Sequence, residues 1–210
     1  MRRYDIINKL IQKHNYKSYL EVGTQNPASN FNQVTCNSKF CIEPNPKQFG
    51  GSYDWTDDID FVGTSDEYFQ SIKDTEIKYD IIFIDGLHHN EQVLKDVENS
   101  LKHLSEGGSI VCHDCLPSEE SHAIRIDENG GKIPDGIWNG DVWKAIVKLR
   151  TTRNDLQITT IDDDFGCTII QRGESELYEP KGDWNLWEYY KVHKYTMLNV
   201  VGTDHEIIKV

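Results

Sequence analysis

Tyr79-Asp80-Ile81-Ile82-Phe83-Ile84-Asp85-Gly86 is the stretch that decides the fold. It is the most apolar run in the chain, and an acid and a glycine close it. A strand with one wet face alternates apolar and polar residues. This run does not, so it belongs at the centre of a parallel sheet, covered on both sides. Asn90 to Leu104 comes next, with Val93, Leu94, Val97, Leu101 and Leu104 at helical spacing. Asn90 is its expected N-cap, and Gly107-Gly108 lie just past its end. Ser109-Ile110-Val111-Cys112 then reads as another strand.

The same alternation repeats on either side. Residues 3–14 place Ile6, Ile7, Leu10 and Ile11 on one helical face, and Ser18–Val22 reads as a strand stopped by Gly23. Phe40–Ile42 and Ile59–Val62 are short strands, and helical spacing returns at Tyr68, Phe69 and Ile72. Val142–Arg150 reads as a helix with Val142, Ala145, Ile146 and Leu149 inward; its periodicity also puts Trp143 in the core. Leu156–Ile161 and Cys167–Ile170 are closing strands, joined by Asp162-Asp163-Asp164, which reads as an acidic surface turn. Alternating strands and helices predict a Rossmann-like, doubly wound, mostly parallel α/β sheet. Residues 1–173 form the expected domain, and 174–210 an aromatic extension that packs or dimerises. The polar connection 116–140, with Ser118, Glu119, Glu120, Arg125 and Trp138, is long enough to serve as a lid over an acceptor. Trp138 is placed to stack on a sugar ring.

Acidic residues outnumber basic ones 35 to 22, and the net charge of −13 argues against a partner bound through its phosphate backbone, hence against nucleic acid. No run reaches the length of a membrane span. Met1-Arg2-Arg3-Tyr4-Asp5 is followed by no apolar core, so no secretory signal is evident. Five cysteines, an odd number, favour reduced thiols and a cytoplasmic location. Cys112 and Cys115 have no second pair at zinc-site spacing and read as structural.

In a doubly wound sheet, ligands sit beyond the carboxyl ends of the strands, where strand order reverses. Those ends carry Glu21-Val22-Gly23-Thr24, Glu43-Pro44-Asn45, Gly63-Thr64-Ser65-Asp66-Glu67, Asp85-Gly86-Leu87-His88-His89 and His113-Asp114. Glu43 stands 20 residues past Gly23, where a carboxylate can accept both hydroxyls of a ribose. The G-x-G-x-x-G fingerprint of pyrophosphate binding is absent, since Thr24, Gln25, Asn26 and Pro27 follow Gly23. A nucleoside without phosphates, such as S-adenosylmethionine, makes fewer demands on that turn.

These motifs resemble, in order, those of the class I S-adenosylmethionine-dependent methyltransferases, in the branch of small sugar and natural-product O-methyltransferases. Tyr19–Gly23, Ile42–Pro46 and Gly63–Phe69 carry the first part of the resemblance, and Tyr79–Pro117 and Gly140–Ala145 the rest. It covers roughly residues 15–172. The resemblance implies a seven-stranded sheet with an antiparallel last strand. It also implies S-adenosyl-L-methionine as cofactor, with the Glu21–Gly23 region along its methionine part, Glu43 on the ribose, Ser65 and Asp66 near the adenine, and Asp85 among the cofactor-binding residues. The chain departs from the family at Gln25, Asn26 and Pro27, where further glycine is usual.

Asp85, His88, His89, His113 and Asp114 gather at two strand ends expected to be neighbours. In enzymes of the resembling branch, carboxylates at these ends hold magnesium, and Asp85 and Asp114 match them. His113 stands where a second acid is usual. A mixed Asp85, Asp114 and His113 set suits manganese, iron or zinc at least as well as magnesium. His88 or His113 acting as general base without metal is the alternative, and a third reading gives the cluster no catalytic role. His89 is expected to turn away, and His14, His103, His122, His193 and His205 read as solvated or structural. The leading expectation is O-methylation of a sugar or glycan precursor by an enzyme that can be a homodimer. Its rivals are a non-catalytic S-adenosylmethionine-binding subunit and a metal-dependent hydrolase.

Overall fold

A computed structural model describes residues 1–47, 54–126 and 136–210. Thirteen elements matter to the site. They are α1 (Arg3–His14), β1 (Ser18–Val22), β2 (Ser38–Glu43), β3 (Phe61–Val62), α2 (Ser65–Ile72), β4 (Tyr79–Ile84), α3 (Asn90–Lys102) and β5 (Leu104–Cys112). α4 (Val142–Thr152), β6 (Leu156–Ile161), β7 (Cys167–Arg172), α5 (Trp187–Met197) and β8 (Val200–Val201) complete the chain.

The strands form one sheet in the order β3-β2-β1-β4-β5-β7-β6-β8. β1 pairs in parallel with both β2 and β4, so strand order reverses between β1 and β4. β7 runs antiparallel to both neighbours, β5 and β6, as expected of the seventh strand. β8 is an addition to the expected seven: two residues of the aromatic extension pair in parallel with β6.

The period of two along each strand divides the core. Leu20, Val22, Ile82, Ile84 and Ile110 face α2, α3 and α4. Tyr19, Ile81, Phe83, Val111 and Ile169 face α1, whose Ile6, Ile7, Leu10 and Ile11 are buried against them. β4 is covered on both sides, which is why its sequence lost the polar alternation. In the extension, Tyr190 and Met197 of α5 are buried, and Tyr190 donates its hydroxyl to the Pro117 carbonyl at 2.9 Å.

The boundaries of α3 and β5 differ from expectation. β5 starts at Leu104, so Leu104 and Gly107-Gly108 belong to a strand and not to a helix end. The register between β4 and β5 shifts after Tyr79, and Gly107 there adopts φ +70°. A bulge of that kind needs the left-handed region that glycine enters freely. Asn90 is the first residue of α3 instead of its cap, because its N–H is taken by the Asp141 carboxylate at 2.7 Å. Asp141 thus fills from another segment the role that a local cap would fill.

Candidate active site

Gly23 and Gly86 meet at the point of strand reversal. Gly23 has φ +84°, and a Cβ there would stand 2.5 Å from the Asp85 carbonyl oxygen and closer still to the Gly86 Cα. Glycine is therefore required twice over, for conformation and for space. The following loop turns again at Gln25, with φ 52°. A non-glycine residue in that region costs roughly 1–2 kcal/mol. The Gln25 N–H offsets this by donating to Glu43 Oε2 at 2.8 Å, while the Asn45 N–H donates to Oε1, also at 2.8 Å. Glu43 is buried and fixed at the end of β2 by two backbone donors, and among the described residues its remaining lone pairs accept from no other group.

Glu21 projects to the α1 side of β1. Burial pushes its pKa up to about 7, against the pull of hydrogen bonds from the Tyr19 hydroxyl and from Asn30 Nδ2, the latter at 2.7 Å. Asn30 Oδ1 is buried without a hydrogen-bond partner among the described residues. A buried acceptor of this kind is costly unless a ligand satisfies it. Ser65 and Asp66 open α2 and are held from α3: Gln92 Nε2 lies 3.2 Å from Ser65 Oγ, 3.3 Å from Asp66 Oδ1 and 3.0 Å from the buried Asp96. Lys95 pairs with Asp66.

The strand ends of β4 and β5 bring together every acid and imidazole expected there except His89. His113 Nδ1 lies 3.2 Å from Asp85 Oδ1 and 3.0 Å from Asp114 Oδ2. His88 Nε2 lies 3.4 Å from the same two oxygens. The His88 Nδ1 is 3.0 Å from the Trp138 carbonyl. A carbonyl only accepts, so Nδ1 carries a proton and Nε2 faces the carboxylates. Ligand atoms of Asp85, His113 and Asp114 all fall within 4.8 Å of one another, a spacing suited to one cation. His89 instead precedes α3, with Nδ1 3.1 Å from the Arg125 guanidinium.

Two further groups enter from elements that gave no hint of it. Arg3 of α1 lies 3.7 Å from Asp85 Oδ2, and its Nη1 is 3.5 Å from His113 Nε2. Asp164 accepts from the Arg3 N–H at 2.8 Å and stands 3.6 Å from His113 Nε2. The acidic turn is therefore not wholly a surface feature. Asp164 and Phe165 both have positive φ, 45° and 63°, which points the Asp164 carboxylate inward until only 3% of its side chain is exposed.

Three carboxylates, Asp85, Asp114 and Asp164, face Arg3, and Asp164 also meets Arg2, so carboxylates outnumber guanidiniums in the cluster. The imidazoles sit in the field of these carboxylates. Burial opposes charge on His113, but Asp85 and Asp114 raise its pKa well above the ordinary value. The same balance raises His88, and His113 in turn holds Asp85 well below the usual carboxylate range against the cost of burial. Asp164 is drawn down to about 2, burial notwithstanding, chiefly by His113 and the Arg3 N–H.

The end of the 116–140 connection clamps this cluster. The Trp138 ring stacks on His88 at 4.6 Å between centroids, so the ring expected to meet a sugar is occupied by an imidazole. Asn139 Nδ2 donates to Asp114 Oδ1 at 2.8 Å. Gly140, with φ +60°, packs so tightly that a Cβ would overlap the His88 carbonyl oxygen. Residues 127–135 of the expected lid lie outside the described residues. His122 and His103 are buried, and Cys112 and Cys115 are buried free thiols, in keeping with structural roles.

Residues 33–115 match a protein family described as a methyltransferase domain. Among curated proteins, no match was found. Solved structures do resemble the chain. A candidate caffeoyl-CoA O-methyltransferase from Staphylococcus aureus is 22% identical, with a TM-score of 0.54 over 81% of this chain and 82% of its own. An O-methyltransferase from Bacillus cereus, in complex with S-adenosylhomocysteine, is 16% identical, with a TM-score of 0.52 over 80% and 79%. TomG of Streptomyces achromogenes, involved in tomaymycin synthesis and solved with S-adenosylmethionine, is 14% identical, with a TM-score of 0.54 over 81% and 79%. The chain has the class I S-adenosylmethionine-dependent methyltransferase fold. No helix among the described residues is long and apolar enough to cross a membrane.

Proposed function

We propose that the protein is an S-adenosylmethionine-dependent O-methyltransferase that acts, with a divalent metal, on a hydroxyl of a sugar or glycan precursor. One observation carries the reading: the Gly23–Gly86 approach and the buried Glu43 carboxylate lie at the strand ends that also gather Asp85, His88, His113 and Asp114. A cradle for a nucleoside thus adjoins a cluster able to activate a hydroxyl. The cradle fits the cofactor on its own chemistry. Gly23 lets the end of β1 close on the Gly86 backbone, Glu43 retains lone pairs for ribose hydroxyls, and Asn30 Oδ1 waits for a donor. Gln25 takes the left-handed turn where further glycine is usual in the family. Ser65 and Asp66, steadied by Gln92, would border the adenine, and Glu21 the methionine part.

When bound, S-adenosylmethionine supplies a methyl group on a sulfonium, which is already electrophilic. The chain's own task is to orient and deprotonate the acceptor. Asp85, Asp114 and His113 would hold the metal, whose charge would ease loss of the acceptor's proton. His113 would bind through Nδ1 with Asp164 behind its Nε2, an arrangement that fixes a ligating imidazole. His88 Nε2, facing the same oxygens, would receive the proton. Residues 1–173 would form the catalytic unit, with 174–210 as an extension, and the five free thiols suit the reducing cytoplasm.

Calorimetric titration with S-adenosylhomocysteine tests the proposal. Micromolar binding is expected; no binding at high micromolar ligand would remove the methyltransferase reading.

A further inference from the structure

A cleft of about 470 Å³ opens between the start of α1, the loop after β1 and the β6–β7 turn. Arg2, Arg3, Tyr4, Ala28, Ser29, Gln33 and Asp164 line it. We propose that this cleft receives the acceptor, and that the acceptor is a hydroxylated molecule carrying a carboxylate or phosphate, which Arg2 and Arg3 bind. This rests on the methyltransferase reading for its consequence, though the anion site is defined without it.

Position is the first argument. Arg3 is a wall of the cleft and also lies 3.7 Å from Asp85 and 3.5 Å from His113 Nε2. A molecule in the cleft therefore borders the cluster that would activate its hydroxyl. Size is the second: the volume falls within the range of small-molecule sites.

The lining is the third. Six of the seven residues carry a polar side-chain group and Tyr4 supplies the only aromatic ring, so the walls suit a hydrogen-bonding acceptor better than a flat aromatic one. Charge is the fourth. The chain carries a net −13, yet this cleft brings two guanidiniums to its wall, Arg3 engaged on its far side by Asp85 and Arg2 open to solvent. Among the described residues the Arg2 guanidinium contacts only Asp164, at 3.4 Å, and 68% of its side chain is exposed. Arg3 Nε is buried and turned toward Asp85 Oδ2 at 3.7 Å, so Arg3 ties the cleft to the cluster. Guanidinium groups bind planar carboxylate and phosphate through paired donors, so the exposed Arg2 fork beside Arg3 suits an anion.

Inorganic phosphate is the minimal probe, followed by phosphorus NMR line broadening on the full chain, with glucose 6-phosphate, glucuronate and glucose compared by calorimetry. Saturable phosphate binding is expected below about 50 mM, a range that detects even weak sites. Arg2→Gln should weaken it roughly 3- to 10-fold, in line with losing one charge-assisted contact at an exposed site. The same variant should leave S-adenosylhomocysteine affinity unchanged. A preference for glucose 6-phosphate over glucuronate would assign a phosphorylated acceptor, and the reverse preference an acid sugar. Absence of saturable phosphate binding, or equal binding by wild type, Arg2→Gln and Arg2→Gln/Arg3→Gln, would overturn the proposal. If phosphate binds through Arg2 while S-adenosylhomocysteine does not bind, the anion site stands and the methyltransferase reading falls.

Discussion

The Oδ2 of Asp164 stands 3.6 Å from the Nε2 of His113, although one belongs to the β6–β7 turn and the other to the end of β5. The pairing aims His113 Nδ1 at Asp85 and Asp114. Asp164→Asn should therefore lower manganese affinity roughly 10-fold, the usual effect of losing the partner behind a ligating histidine. Titration of bound manganese by electron paramagnetic resonance measures this, and an unchanged affinity in a folded variant would remove Asp164 from the site.

Chelation should lower the melting temperature, because Asp85 and Asp114 would lose their shared counter-ion. Manganese should restore it more fully than magnesium, since imidazole suits the softer ion. Equal melting curves with chelator and with manganese would favour histidine acting alone as base.

Glycine positions should divide by space and not by φ alone. Gly23→Ala, which would drive a Cβ into the Gly86 backbone, should cost more than about 2 kcal/mol and abolish S-adenosylhomocysteine binding. Gly107→Ala shares a positive φ but meets nothing within 4 Å, so it should cost only about 1 kcal/mol. Urea denaturation of both variants checks the contrast; equal losses would show that close approach at Gly23 is unimportant.

Glu21 sets a pH dependence of stability. Its folded pKa of about 7 lies above the ordinary 4.5, so the folded state binds the proton more tightly than the unfolded chain does. Its contribution is full below about pH 4.5 and is lost as pH rises toward about 7, to the extent of about 3 kcal/mol. Glu21→Gln should gain stability relative to wild type on going from about pH 5 to about pH 8. A stability difference that stays constant with pH would contradict this.

Much of this was legible in the sequence because burial leaves a pattern. The unbroken apolar run Tyr79–Ile84 announced a strand covered on both sides, and acids just past strand ends announced the cluster of Asp85 and Asp114. Helix boundaries were harder. Nothing local to Asn90 says that Asp141 will take its N–H, so the cap was misplaced by one residue. Arg3 and Asp164 escaped because their neighbours, Arg2 and Asp163, are ordinary surface charges. Only the left-handed turn at Asp164–Phe165 and the packing of α1 across the sheet bring them inward, and neither follows from spacing. A faint signal existed in Phe165-Gly166, a turn pair placed directly before a buried strand. Asn30 and Gln92 left no signal, since single amides are common in loops and on helices.

The central claim is that Glu43 holds the ribose of an adenosyl group whose reactive end faces Asp85, His88, His113 and Asp114. A crystal structure with S-adenosylhomocysteine bound tests it most directly. The account predicts both ribose hydroxyls on the Glu43 carboxylate and the sulfur directed toward that cluster. Ribose hydroxyls bonded elsewhere, or a sulfur directed away from His88 and Asp85, would contradict it.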